Sequence, residues 1–496
     1  MVTSRPILFG HSRAQRWDRG ILALLVTFVV LLPLFQPRLY ATDSVQYYAY
    51  LRSLWFDGDL DFANEYTRFH ELNPKSGIDK ALLPRIDPGT GEVRNVVSAT
   101  GKLVNVAPIG SALLWSPAFA VAHGAVLIAR GIGVDVAADG YSAPYIWAIC
   151  FASVMYGLAG LLFSYSIARR FVGVWPATAA TIVCWLASPL VFYMYISPPW
   201  SHTGSFFTTA LFIWYWLRTY GRRTLRQWLV LGLLGSLMTL TREQLGLFLL
   251  LPAIEALHHY WQSVRAFDWL RLRGLVIAHS SFLFAFALTL SPQFVTYRVL
   301  NGRWGPAKTV AQKFDWSSPH FWDTLIDVGS SPITGHRFAH GAFLWTPTWA
   351  LGVAGLLLLW RRNRFLAALL LLVFCAQVWI NGSFGTTWHL SSAFGFRRLI
   401  EATPLFVLGV ALLMEHVRLP RRAWSVLIAL LIVWNIGLIA QWTATYTELR
   451  RGLVWDGMLT RQLSVPVDIG TKLGEILFDR CALVENCGSD TEQSSR

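Results

Sequence analysis

Residues Thr42–Asn64, TDSVQYYAYLRSLWFDGDLDFAN, decide how the rest of the chain is read. The stretch follows the first long apolar run, so it emerges where that run meets water. Thr42 or Asp43 is placed to cap a helix, and Gln46 stands three positions after Asp43, as in a capping box. Tyr47, Tyr50, Leu51 and Leu54 then recur at helical spacing and form one apolar stripe, with Arg52 off it. A short aromatic stripe suits a helix lying in a membrane interface better than one crossing it. Asp57-Gly58-Asp59 supplies the turn that ends it. The segment therefore sets a carboxylate, Asp43, at the membrane surface at the start of an interfacial helix.

Composition fixes the class around this stretch. Apolar residues make up 54% of the chain and charged residues 14%, with 24 tryptophans, whereas a soluble domain carries roughly a quarter charged residues. Several apolar runs approach the ~20 residues needed to cross a bilayer. The expected fold is an all-α polytopic membrane protein. Its net charge of +14 comes in bursts between apolar runs: Arg13/Arg16/Arg19, Arg169/Arg170, Arg218/Arg222/Arg223/Arg226, Arg265/Arg271/Arg273, Arg361/Arg362/Arg364 and Arg418/Arg421/Arg422. Such bursts mark cytoplasmic loops. Nucleic-acid binding needs a basic face without alternating spans, and is set aside. Cys150, Cys184 and Cys375 fall inside apolar runs and read as core packing. Cys481 and Cys487 lie in the polar tail and can pair only if that tail is outside the cytoplasm.

Gly20–Phe35 is the first span, anchored by Trp17 and Tyr40. Leu39-Tyr40-Ala41 is a poor cleavage site for a signal peptide, so the anchor is expected to be retained with its N-terminus inside. Residues 38–142 then form the first outer loop. Within it, Ala107–Ala129 is long enough to span but is broken by Pro108, Gly110, Pro117 and Gly124. If it crossed, most later arginine clusters would move outside, so it is expected to be re-entrant or interfacial. Ten further spans follow at about 143–168, 174–197, 203–219, 227–241, 244–260, 275–298, 341–360, 365–381, 397–417 and 423–442. That gives about eleven spans in a transmembrane module over 1–442, a late outer loop at 299–340, and an extracytoplasmic tail over 443–496.

The groups able to do chemistry all fall on the outer face. A partly desolvated Asp43 suits general-base work, because burial lifts a carboxylate towards working pH. Asp57, Asp59 and Asp61 alternate but lack the later Glu of a calcium loop, and read as turn and cap residues. His202, in PPWSH, sits in a turn between spans. Arg242-Glu243 interrupts the apolar stretch Leu231–Leu251, where ionisable residues are costly. The pair is either an ion pair of neighbours or a phosphate-binding Arg242, since guanidinium matches phosphate oxygens in a bidentate way. Arg397 and Arg398 open a span on the outer side, against the positive-inside preference, which points to an anionic ligand. Lys102 is a weaker candidate for the same task. The 299–340 loop carries Arg303, Lys308, Lys313, His320, His336, Arg337 and His340 without zinc spacing, and is expected to gate the site or shape an acceptor pocket. No P-loop, Gly-x-Ser-x-Gly or Cys-x-x-Cys pattern is present, so ATP hydrolysis, serine acyl transfer and thiol redox lack support.

Three pieces carry a resemblance. The acidic residue after the first span, with its helix and Gly-Asp turn, resembles the GT-C superfamily of membrane glycosyltransferases, in particular the protein O-mannosyltransferases and lipid A aminoarabinose transferases. Asn105–Gly110 running into Ser111–Pro117 is similar to the Lys-Pro-Pro-Leu-Gly segment closing the first outer loop of that family. Trp388–Arg398, WHLSSAFGFRR, resembles a late aromatic, Gly and Arg segment of its bacterial members. The resemblance implies an inverting enzyme that moves a sugar from a polyprenyl-phosphate donor to a lipid, glycan or protein acceptor. It places the protein in a bacterial inner membrane with the site facing the periplasm. Asp43 would be the general base, and Arg242, Arg397 and Arg398 would steady the lipid phosphate. In the aminoarabinose transferases an aspartate occupies the turn of His202, so here His202 is left a sugar-contact or acceptor-orienting role. No resident cofactor or metal ligand set is implied, and divalent-cation dependence varies among such enzymes. The rival readings are an O-antigen ligase or polymerase, and a polytopic transporter or flippase.

Overall fold

A computed structural model of the chain describes residues 18–474, apart from 87–92, 95, 222, 328–339, 391, 446–448, 450 and 473. His336, Arg337, Cys481 and Cys487 lie outside the described residues. The first helix, α1 (Arg19–Leu31), is capped by Asp18, whose carboxylate accepts from the amides of Gly20 and Ile21. Three helices of the first loop follow: α2 (Thr42–Arg52), α3 (Ala63–Leu72) and α4 (Gly110–Gly131), with a two-stranded ribbon, Arg85–Ile86 against Val93–Arg94, between α3 and α4. Then come α5 (Ala143–Ala168), α6 (Val174–Leu186), α7 (Ser201–Arg218), α8 (Leu225–Thr241), α9 (Leu250–Arg265) and α10 (Trp269–Asn301). The last are α11 (Pro347–Leu359), α12 (Arg364–Gly382), α13 (Thr403–His416), α14 (Arg421–Ala440) and α15 (Met458–Thr471). Each span read from the sequence overlaps one of these helices. Among the described residues six helices are long and apolar enough to cross a membrane: α4, α5, α10, α12, Arg397–His416 and Arg421–Thr443. The protein is an integral membrane protein of helical, polytopic build.

Side-chain contacts set the direction of the chain. Asp18 accepts from the Tyr165 hydroxyl at 2.6 Å and pairs with Arg169, so α1 begins where α5 ends. Phe35 meets Trp147 and Phe151, so α1 ends where α5 begins. Helix α4 runs antiparallel to the first half of α5. Tyr156 donates to the Leu114 carbonyl, Trp115 to Ser153, and His123 lies 2.7 Å from the Tyr145 hydroxyl. Helix α4 therefore stays in the half of the molecule in which α1 ends. It runs unbroken through Pro117 and Gly124, which the sequence reading took as breaks. Basic side chains gather at the opposite end. Arg169 binds Asp18, Arg362 donates to the Phe171 carbonyl, and Arg421 lies over the Trp175 ring.

Three further expectations fail. Helix α2 is buried on every side from Ser44 to Leu51 rather than along one stripe, because α3 and α4 cover it, and Leu54 lies outside the stripe and is exposed. No capping box forms: Ala41 is the N-cap without a side-chain bond, and the Gln46 amide oxygen instead accepts from the Val106 amide. Cys150 and Cys184 are buried, but Cys375 is exposed, since α12 turns that face outward.

The core between α11 and α13 depends on glycine. A Cβ on Gly355 would sit 1.8 Å from the Gly409 carbonyl oxygen, and one on Gly409 1.8 Å from that of Gly352. Backbones this close gain dispersion contacts that lipid cannot replace, as in other small-residue helix crossings.

Candidate active site

Four separate segments converge at the end of α1. Helix α2 supplies Asp43 and, one turn on, Tyr47. The turn entering α7 supplies Trp200, Ser201, His202 and Ser205. Arg242 ends α8 in an extended conformation (φ −158°, ψ 119°), which swings its side chain off the helix. The 3₁₀ turn Arg397–Ala402 before α13 supplies Arg397, Arg398 and Glu401. Gly395 precedes it at φ 62°, and a Cβ there would meet Pro189 at 2.4 Å, so only glycine admits this approach.

Two carboxylate–guanidinium pairs form the centre. Arg397 Nη2 donates to Asp43 Oδ2 at 3.0 Å, and the guanidinium lies 4.1 Å from the centre of the Trp200 ring. Stacking on indole holds the fork flat. The second pair is Arg242 Nε with Glu401 Oε1 at 3.3 Å. Arg242 Nη1 also donates to Ser201 Oγ at 3.0 Å, and Ser201 in turn donates to the Tyr47 hydroxyl at 3.0 Å. Glu401 Oε1 lies 3.0 Å from His202 Nδ1 and accepts from Ser205 Oγ at 2.8 Å. Three buried polar atoms of this cluster have no hydrogen-bond partner among the described residues: Arg397 Nη1, Arg242 Nε and Glu401 Oε2. Buried polar atoms are ordinarily satisfied; Arg242 Nε still faces Glu401 across the ion pair, so it is the orphaned Arg397 Nη1 that marks a place for an anionic ligand.

The structure thus brings together Asp43, His202, Arg242 and Arg397. Arg398 points to the side, donating to the Thr387 carbonyl and lying over Phe384. Lys102 stands opposite Asp61 at 3.9 Å, and among the described residues no hydrogen bond or ion pair joins it to the cluster. The neighbour pair Arg242–Glu243 does not form, because Arg242 turns to Glu401. Glu243 is exposed, and desolvation by the surrounding protein pushes its carboxyl up to about 7. Asp59 accepts from Ser53 Oγ and the Asp61 amide, and Asp61 from the Ala63 amide, as turn and cap residues do. Among the described residues no group of three His, Cys, Asp or Glu is placed to hold a metal ion. Of the late loop, Ser318 and His320 bond to the backbone around Trp379–Gly382, and the His320 ring stacks on Trp388 at 4.5 Å.

Glu401, Ser201 and Trp200 were missed from sequence. The available signal was Glu401 itself, a carboxylate inside a span otherwise apolar from Leu399 to Met414. Nothing in the sequence ties it to Arg242, 159 positions away.

No protein-family model matches the chain, and no curated protein matches it. The crystal structure of ArnT from Cupriavidus metallidurans in the apo state is similar to it over 93% of this chain and 73% of that one, with 13% identity and a TM-score of 0.49.

Proposed function

We propose that the chain is a membrane glycosyltransferase of the GT-C kind, moving a sugar from a polyprenyl-phosphate donor to an acceptor hydroxyl at the outer face. The observation that supports it is the meeting of Asp43 with Arg397, 354 residues apart, beside a second buried guanidinium, Arg242. A base and two cations in one cleft are what an inverting transfer from a phosphate requires.

In this reading Asp43 accepts the proton of the acceptor hydroxyl as its oxygen forms a bond to the anomeric carbon. The bond from that carbon to the phosphate oxygen breaks with inversion, and the electron pair leaves on the lipid phosphate. Arg397 and Arg242 meet that charge through guanidinium edges fixed before reaction, so little reorganisation is needed in a low-dielectric cleft. His202 contacts the sugar or orients the acceptor, and Arg398 adds positive potential from the side. The arginine clusters face the cytoplasm and the site faces outwards. Deleting the gene is expected to make a polyprenyl-phosphate-linked sugar accumulate, read by mass spectrometry of extracted lipids. Lipid profiles identical with and without the gene would remove the proposal.

A further inference from the structure

Glu401 is a carboxylate with 1% of its side chain exposed, at the head of a segment apolar enough to cross a membrane. Burying such a charge costs several kcal/mol unless cations and donors compensate it. Here the compensation converges on one atom: His202 Nδ1, Ser205 Oγ and Arg242 Nε all lie around Oε1. The other oxygen is buried without a partner among the described residues.

The arrangement fixes two neighbours. A carboxylate only accepts, so neutral His202 must carry its proton on Nδ1 and present Nε2 as an acceptor. Arg242 Nη1 lies 3.4 Å from each of the two ring nitrogens, against the face of the imidazole. Arg242 is held through Nε by Glu401 and through Nη1 by Ser201, while no described residue takes Nη2. Its third nitrogen is thus left for a ligand. Glu401 itself has no such freedom, since the turn that carries it packs on α7, α12 and α13.

We infer that Glu401 is a positioning residue: it aims Arg242, and so acts on the reaction only through that guanidinium. The inference rests on the glycosyltransferase reading above. Its signature is a split. Removing the carboxylate leaves the Arg242 charge in place, so phosphate affinity should hold while turnover falls.

The test uses the full chain in nanodiscs. Sugar transfer is followed from labelled lipid-linked donor into membranes of a strain lacking the gene, and polyprenyl phosphate is titrated as the binding probe. Glu401→Gln is expected to lower kcat by about 10²-fold, the cost of misplacing a group by an ångström, with polyprenyl phosphate affinity not reduced. Placed on Arg242→Gln, the same change should alter kcat by no more than about twofold, since a residue acting through another adds nothing once that one is gone. Arg242→Lys keeps the charge but has no Nε for Glu401, and should show the same split if Arg242→Gln fails to fold. An equal loss from Glu401→Gln in both backgrounds, or wild-type kcat in Arg242→Lys, would overturn the inference. Polyprenyl phosphate affinity unchanged in Arg242→Gln would instead sink the phosphate reading, leaving the coupling of Arg242 and Glu401 measurable in thermal unfolding of the same variants.

Discussion

Asp43→Asn separates a catalytic carboxylate from a structural one. The side chain makes no helix-capping bond, and its one ion pair joins groups that are 41% and 16% exposed. A pair screened to that degree contributes at most about 1 kcal/mol, and an acidic residue in the first turn of a helix adds about 0.3–1 kcal/mol. Asparagine keeps the shape and an acceptor oxygen for Arg397, so the expected loss of stability is about 1–2 kcal/mol. A lost general base costs ~10²–10⁴-fold in rate, or about 2.7–5.5 kcal/mol of barrier. The rate effect therefore exceeds anything the stability effect explains. Asp59→Asn is the control: it disturbs a turn held by Ser53 and the Asp61 amide, and should change transfer by less than about tenfold. Transfer from labelled lipid-linked donor is measured in nanodiscs, with melting followed by tryptophan fluorescence and polyprenyl phosphate binding titrated separately. Near wild-type transfer by a normally folded Asp43→Asn protein would refute the base assignment and take away the main support for the glycosyltransferase reading.

Other outcomes follow from the same geometry. Arg397→Ala removes a charge-assisted contact and should weaken polyprenyl phosphate binding by about 1.5–3 kcal/mol; unchanged affinity would reduce Arg397 to a partner of Asp43. Cysteines placed at Arg362 and Arg421 should react with impermeant thiol reagent from the cytoplasmic side only, and one at Ile132, at the end of α4, from outside only. Cytoplasmic labelling at 132 would mean that α4 crosses. Glu65 is fully buried, pairs with Arg52, and is pushed up to about 7 from an ordinary 4.5 chiefly by burial. Its folded state holds the proton more tightly, so stability is full below about pH 4.5 and falls as pH rises through 7, by at most about 3 kcal/mol; Glu65→Gln should flatten that slope in melting curves taken from pH 5 to 8. Gly409→Val forces α11 and α13 apart and should cost about 3 kcal/mol or more, read as lost folded yield in size-exclusion chromatography, with wild-type yield arguing against the close crossing.

The sequence by itself determined the class, the approximate positions of the long apolar helices, the ends of several of them and the end at which the arginine clusters gather. These properties follow from solvent preference: apolar runs of fixed length and charges in short loops are written residue by residue along the chain. Gly58 ends the turn after α2 in the left-handed region (φ 71°), as Asp57-Gly58-Asp59 indicates. Tertiary structure alone decided who pairs with whom. Asp43 reads locally as a cap with Gln46 as its box partner, yet Gln46 serves Val106 and Asp43 serves Arg397. Arg242 reads as the partner of adjacent Glu243, yet takes Glu401. Helix α2 reads as half-exposed until α3 and α4 close over it. In each case several partners are locally acceptable and differ by little in energy, so the choice falls to whichever charge or surface the packed helices bring within ångströms, and a separation of 354 residues leaves no trace of that in the order of the chain.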